Sequence, residues 1–532
     1  MKHSKILLSE TGLVPPIVLD YLAGNEFLKP FYAEPNTIGA YKKLIDARNF
    51  DEKKRQVLYD SLINQFHKIK LPLENYPILY SNIKLLLDSN TYTICTGHQL
   101  CLYGGPMFVT YKILTAIKLC SELRNAYPEI NFVPVLWLAS EDHDFEEISN
   151  THLYGRDFKW HKDSGNKPVG TLDLEGLSED IETISKLIGT NETGQRWIKL
   201  IEDSYLKSND LSEATIKLYT DIFKDYGLIV LEPNQKIFKE ELIPVIKSDL
   251  LDQSNFSVQT KSDKLLAEKY KLQINARETN FFYLSETSGR RQIKKEGEAF
   301  VIAGTETRFS VQQLAVEINN YPERFSPNVN LRPVYQELIL PNLAYIGGPA
   351  EIAYWLQLKA IFDVNKIKFP SVVLRSMNLI TGSQLIEKVE KYGLTVSDLV
   401  GNELKLTQAY LQKGRKFDFQ KSFDIILNEF QILIDASKDL NKEVSKNFLE
   451  TKLSLKNLFH EKQRDIKRSI GEAETEQIEK LMKLRSKLYP KGIFQERTDT
   501  LFQHESNLNR ILIPEILEQI DIFHPALNVF SL

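Results

Sequence analysis

Apolar and polar positions along the chain predict a strand, a helix and a second strand between residues 91 and 139. The run "TYTIC" (91–95) is rich in β-prone residues, and "PMFVTYKILTAIKLCSELRNA" (106–126) carries apolar side chains at helical spacing. "NFVPVLWLA" (131–139) is almost continuously apolar, as expected of a parallel strand covered on both faces. Crossovers between parallel strands are right-handed, so the loops after Cys95 and Leu138 are expected at one sheet edge, where open α/β sheets bind ligands. Two further short buried strands are predicted in "YGLIVLEP" (226–233) and "FPSVVLRS" (369–376), the latter ending at Arg375. Between them, residues 261–308 alternate β-like runs with Ser-Gly and Glu-Gly turns, which predicts a small inserted β-rich piece.

From residue 382 to 488 the texture changes to long Lys- and Glu-rich helices. Ile426, Phe430, Leu433, Leu440 and Val444 form an apolar seam, and a second seam starts at Ile466, Ile470 and Ala473. Two helices joined near "SIGEAE" (469–474) are expected to make an antiparallel coiled-coil arm, closed on itself or paired with a second chain. The break "PKG" at 490–492 ends it. The predicted organisation is a discontinuous α/β core over 1–380 with insertions near 165–200 and 255–315, an arm at 381–490, and a C-terminal segment at 491–532 that returns to the core.

Composition narrows the function. The chain has 532 residues, 42% of them hydrophobic, enough for a large core, and its formal charge of −4 provides no positive field for nucleic acid or anionic membrane. No apolar stretch is long enough to cross a bilayer, so a soluble cytoplasmic protein is expected. Cys95, Cys101 and Cys120 show no C-x-x-C pair and are read as buried free thiols.

The chemistry-bearing residues cluster in three places. "SEDHDFEE" (140–147) follows an apolar strand: Glu141 or Asp142 is placed to hold an ammonium group, with Asp142, His143 and Asp144 as the catalytic set and His143 as acid or base. Glu146 and Glu147 read as first-turn helix residues that complement the dipole. The spacing matches no metal signature, and no permanent metal is expected. "TGHQLCLYGGP" (96–106) puts Thr96, Gly97, His98 and Gln99 between strand and helix, where backbone amides meet phosphate in nucleotide folds, although neither a Walker loop nor a G-x-G-x-x-G fingerprint is present. The third stretch, "FSPNVNLRPVYQELILPNLAYIGGPAEIAYW" (325–355), offers Arg332, Tyr335, Gln336 and Glu351 as ligand-binding candidates, with Arg375 beyond it, while Tyr354 and Trp355 read as packing residues. Gly-Gly-Pro occurs twice, and each copy reads as a helix start. Gly104, Gly105, Gly347 and Gly348 are expected to let an anionic group approach unpaired N–H groups across one cleft.

Together these blocks, with "LYPKGIFQER" (488–497), resemble the cysteine-adding enzymes of bacillithiol biosynthesis, the BshC family, along the whole chain. The resemblance implies a Rossmann-like core with inserted connecting pieces, a coiled-coil arm and a homodimer. It also implies a carbon–nitrogen ligase that joins L-cysteine to the amine of glucosaminyl-malate, with ATP as co-substrate to activate the carboxylate. The residues alone leave two other readings open: a metal-dependent hydrolase using the acidic loop, and a non-catalytic nucleotide-binding coiled-coil scaffold.

Overall fold

The computed structural model describes residues 2–412, 419–437, 442–468 and 472–532. At its centre lies a five-stranded sheet of β1 (Thr91–His98), β2 (Asn131–Leu138), β3 (Ile229–Leu231), β4 (Asn342–Gly347) and β5 (Ser371–Leu374). All neighbouring strands run parallel, in the order β5-β4-β1-β2-β3. The apolar runs reflect this burial: every residue of β4 and β5 is buried, as is all of β2 except Asn131. Helix α1 (Met107–Ala126) crosses from β1 to β2. Strand order reverses between β1 and β4, and in such Rossmann-like sheets the chain opens a crevice at the carboxyl ends beside that point.

Between β3 and β4 stands an antiparallel five-stranded sheet made of Phe281–Ser285, Gly289–Glu296, Ala299–Ile302, Arg308–Ser310 and Phe325–Pro327. The β-rich piece begins later than its sequence suggests, because helix Ser254–Leu266 takes up the start of the segment. The final strand leads through Asn328 into α2 (Arg332–Ile339), and β4 leads into α3 (Pro349–Trp355). A third sheet pairs Leu527–Ser531 with Lys2–Ile6 on one side and with Met377–Thr381 on the other, which docks the C-terminal segment beside β5.

The arm consists of α4 (Phe419–Ser437), α5 (Lys442–Arg468) and α6 (Glu472–Arg485). Phe423 stacks on Phe459 at 3.6 Å between ring centroids and Phe430 meets Phe448 at 6.5 Å, so α4 and α5 run antiparallel. The seam differs from the expected one: Ile434 and Phe459 are buried, whereas Ile426, Leu433 and Val444 are 46%, 45% and 41% exposed. Of the expected seam Phe430 does face the partner helix, and the aromatic pairs rather than the aliphatic positions at 425/426 and 432/433 close the contact. Leu440 and Ile470 lie outside the described residues, as do the side chains of Ile466 and Ala473 and the 469–471 part of the expected joint.

Candidate functional site

All five central strands deliver residues to one cavity of about 1050 Å³ at their carboxyl ends: Gly97 and His98 from β1, Trp137 and Leu138 from β2, Pro233 after β3, Gly348 after β4 and Arg375 after β5. Of the residues singled out in the sequence, Gly97, His98, Gln99, Glu141, Asp142, His143, Asp144, Arg332, Gly348, Glu351 and Arg375 line it.

The acidic wall is organised by a residue the sequence reading missed. Arg290, from the inserted sheet, donates through Nη1 to Asp142 Oδ1 at 3.2 Å and to His143 Nδ1 at 3.0 Å. It is itself fixed by Ser326 Oγ at 3.0 Å from Nε and the Pro327 carbonyl at 3.0 Å from Nη2. A guanidinium has no acceptor, so His143 Nδ1 accepts and its Nε2 carries the proton. His143, which the sequence suggested as an acid or base, therefore carries its proton on Nε2. Asp142 also accepts from Gln99 Nε2 at 2.8 Å and from the His143 backbone N–H at 2.8 Å. Burial opposes its ionisation, but the Arg290 charge, Gln99 and the His143 backbone N–H outweigh it and hold the carboxyl well below its usual range.

Its neighbours differ in role. Glu141 is not free for an ammonium ligand, because the buried Lys239 ammonium sits against it and Ser326 Oγ donates to it at 3.3 Å. Asp144 caps the short helix Phe145–Ile148 by accepting from the Glu147 N–H at 3.2 Å. Glu146 and Glu147 occupy the first turn of this helix as expected, yet both also line the cavity, and burial raises the Glu147 carboxyl. With Arg290 bonded to both Asp142 and His143, this set does not converge as a metal site, and among the described residues no cluster of three His, Cys, Asp or Glu side chains does.

The opposite wall is basic. Lys112 of α1, buried in an otherwise apolar stripe, reaches the Gly97 carbonyl and Glu351 Oε2 at 2.8 Å. Glu351 also accepts from Tyr345 Oη at 2.6 Å and from the Gly348 N–H at 2.8 Å. Burial would raise its carboxyl, but the Lys112 charge prevails and lowers it to about 2. Arg332 lies between the rings of Trp137 and Tyr345, 6.0 and 5.4 Å from their centroids, and approaches Gly97 so closely that a Cβ there would sit 3.3 Å from Nη1. Its buried Nη2 and the buried Arg375 Nε have no hydrogen-bond partner among the described residues. The rest of Arg375 is committed to Glu496, at 2.9 and 2.6 Å. His98 abuts Cys101 Sγ at 3.5 Å; burial and then the Lys112 charge lower the imidazole to about 3, while burial pushes Cys101 up to about 12, so the pair is a neutral imidazole beside an inert thiol.

Six expected site residues do not line the cavity. Thr96 donates to the Ile346 carbonyl at 2.9 Å and ties β1 to β4. Tyr335 is buried, its hydroxyl on the Pro233 carbonyl at 2.7 Å, and Gln336 serves behind the wall by accepting from Arg332 at 3.1 Å. The two Gly-Gly-Pro motifs solve different problems. Gly104 and Gly105 take φ of 87° and 65°, and the α1 start behind them is covered: the Met107 N–H donates to the Asp499 carbonyl at 2.8 Å. Gly347 ends β4, where a Cβ would come within 3.0 Å of Glu351 Cβ. Only Gly348 reaches the cavity, and Glu351 takes its N–H. Tyr354, read from sequence as packing, lines the cavity, while Trp355 is buried against Tyr345 with centroids 4.4 Å apart. Arg290, Lys112 and Lys239 had one sequence signal each, a basic residue among apolar or turn positions, and such residues are usually solvated.

Comparison with known proteins gives one consistent result. Residues 1–376 match "Bacillithiol biosynthesis BshC, N-terminal Rossmann-like domain" and residues 379–532 match "Bacillithiol biosynthesis BshC, C-terminal coiled-coil domain". Proteins named "Putative cysteine ligase BshC" are similar over nearly the full length. The one from Flavobacterium johnsoniae is 35% identical over 98% of each chain, and the one from Christiangramia forsetii is 34% identical over 98% of this chain and 97% of its own. The relative from Cytophaga hutchinsonii is 32% identical over 97% and 96%.

Proposed function

Because the chain belongs to the BshC family of bacillithiol biosynthesis, we propose that it is a ligase joining the carboxyl group of L-cysteine to the amine of glucosaminyl-malate. The observation that carries this reading is the division of the cavity into an acidic wall suited to an ammonium group and a basic wall suited to anions. A carboxylate and an amine do not condense unaided in water, so ATP activates the cysteine carboxylate, through an adenylate. Anionic groups of ATP lie against the basic wall, where Arg332 Nη2 and Arg375 Nε are donors without partners. The amine arrives as ammonium and must lose a proton before it attacks. Ionised Asp142 holds it, His143 Nε2–H donates to a neighbouring substrate oxygen, and Glu147, whose carboxyl is raised, accepts the proton. The amide bond forms as the activated group leaves with its electron pair.

The test is ATP consumption by the purified chain with L-cysteine and glucosaminyl-malate supplied singly and together. Consumption coupled to amide product only with both is expected. ATP turnover indifferent to the amine, or inactivation by chelators that points to a hydrolase, would overturn the reading.

We also infer that two copies pair through the arm. Ile425, Ile432, Leu433, Leu449, Leu453 and Leu458 are all exposed on α4 and α5, an apolar surface that a lone charged helix pair does not need. Light scattering is expected to give twice the 61.4 kDa chain mass at micromolar concentration, and Leu433→Glu with Leu453→Glu to return it to one. A single-chain mass for the unmodified protein would refute the pairing. Among the described residues no helix is long and apolar enough to cross a membrane, and a ligase drawing on cysteine and ATP works in the cytoplasm.

A further inference from the structure

The cavity is not built by the Rossmann-like domain alone. Arg497, from the C-terminal coiled-coil domain, lines it. Its backbone is held rigidly: Gln495 exchanges two hydrogen bonds of 3.0 Å with Ile380, Glu496 is buried on Arg375, and the Arg497 N–H donates to the Phe494 carbonyl at 2.9 Å. The guanidinium carbon lies 5.2 Å from the centre of the Phe108 ring, which also lines the cavity, so the side chain is stacked rather than loose. Of the other cavity arginines, Arg290 and Arg375 are engaged by carboxylates and Arg332 is enclosed by Trp137 and Tyr345, and Lys112 is engaged by Glu351, while Arg277 shares the exposed rim with Arg497. Among the described residues no carboxylate lies within ion-pair distance of Arg497.

We propose that Arg497 is a substrate-binding residue, supplied by the second domain, that takes a carboxylate of the amine-bearing substrate. Phe108, on which Arg497 stacks, meets the His98 ring at 5.0 Å between centroids and the Arg375 guanidinium at 5.5 Å, and Glu147 of the acidic wall lines the same cavity, so Arg497 stands at the border between the wall that draws the ammonium and the basic wall. A molecule carrying an amine at one end and a carboxylate at the other spans these two contacts, and a planar guanidinium matches a carboxylate through paired hydrogen bonds. The coiled-coil domain thereby contributes to substrate choice as well as to architecture.

This inference rests on the ligase reading, and one set of measurements separates the two. Steady-state ligation by the full-length chain is compared with that of R497A and R497K, using glucosaminyl-malate and a glucosamine glycoside without carboxylates. For R497A, a rise in KM for glucosaminyl-malate of tenfold or more is expected, with kcat within about threefold, unchanged KM for ATP and partial rescue in R497K. The unmodified chain should bind the carboxylate-free glycoside more weakly, and R497A should lose nothing further on it. An exposed side chain makes folding loss a minor concern, and melting curves check it. Unchanged KM for glucosaminyl-malate, or a KM effect confined to ATP, overturns the role of Arg497. If the unmodified chain forms no amide at all, the ligase reading fails instead.

Discussion

Arg290→Ala is expected to lower amide formation by a hundredfold or more while leaving most of the fold in place. The side chain makes four hydrogen bonds, two within the inserted sheet to Ser326 and Pro327 and two that join that sheet to the acidic loop at Asp142 and His143. Without it, Asp142 loses its nearest cation and His143 Nδ1 its donor, so neither the ionisation nor the tautomer is fixed. Losing that preorganisation corresponds to about 2.7 kcal/mol of activation free energy for a hundredfold effect. The pH dependence gives a second readout. In the intact site burial favours the protonated acid, but Asp142 is held below its ordinary range by Arg290, Gln99 and the His143 backbone N–H. Removing Arg290 withdraws part of the stabilisation of the ionised form, so the acid limb of the pH–rate profile should move to higher pH. Arg290→Lys, which keeps a charge but not the fork, should recover the position of that limb more fully than the rate. An unshifted acid limb in Arg290→Ala would remove Arg290 from the control of Asp142.

Glu496→Ala is expected to be the most destabilising single change in the cavity's supporting shell. Arg375 and Glu496 are 1% and 2% exposed in their side chains and form two hydrogen bonds across the junction between β5 and the C-terminal segment. Truncating one partner leaves a buried charge uncompensated, which costs about 3–5 kcal/mol. Urea unfolding should show the loss directly. The double change Arg375→Met with Glu496→Leu should regain much of it, because a buried ion pair can be replaced by apolar side chains of similar volume with little net change. A loss of under ~1 kcal/mol in Glu496→Ala would mean that the junction is open to water. The Gly105→Ala change offers no such rescue, since a Cβ there would lie 2.8 Å from Cys101 Cβ at a φ of 65°.

Most strands and the principal helix of the core were legible because their determinants are local. Continuous apolar runs at β2, β3 and β5 can be satisfied only between covering layers, and the helical spacing from Met107 onward reads as a helix, whereas β4 was not read as a strand. The strand-helix-strand unit also indicated where a ligand cleft would open, with Gln99, Asp142 and His143 at its edge; Arg332 and Glu351, from the later 325–355 stretch, line the same cavity. Sequence spacing could not decide which of these charges would be free. Glu141 was spent on Lys239, Arg375 on Glu496, and Asp144 on a helix end, each by a partner distant in the chain or by a cap that geometry alone reveals. The two Gly-Gly-Pro motifs read alike, yet one is sealed by the Asp499 carbonyl and the other is turned toward the cavity at Gly348. Their difference lies in what packs over them. The roles of Arg290 and Lys112 could not be read for the same reason: a buried cation becomes a site residue only when tertiary contacts hold it out of bulk water and against a cleft. Local pattern thus determined the elements and the edge at which chemistry could occur. Long-range packing decided which charges cancel, which tautomer His143 holds, and which donors remain free, because electrostatic interactions depend on separation and burial in space rather than along the chain.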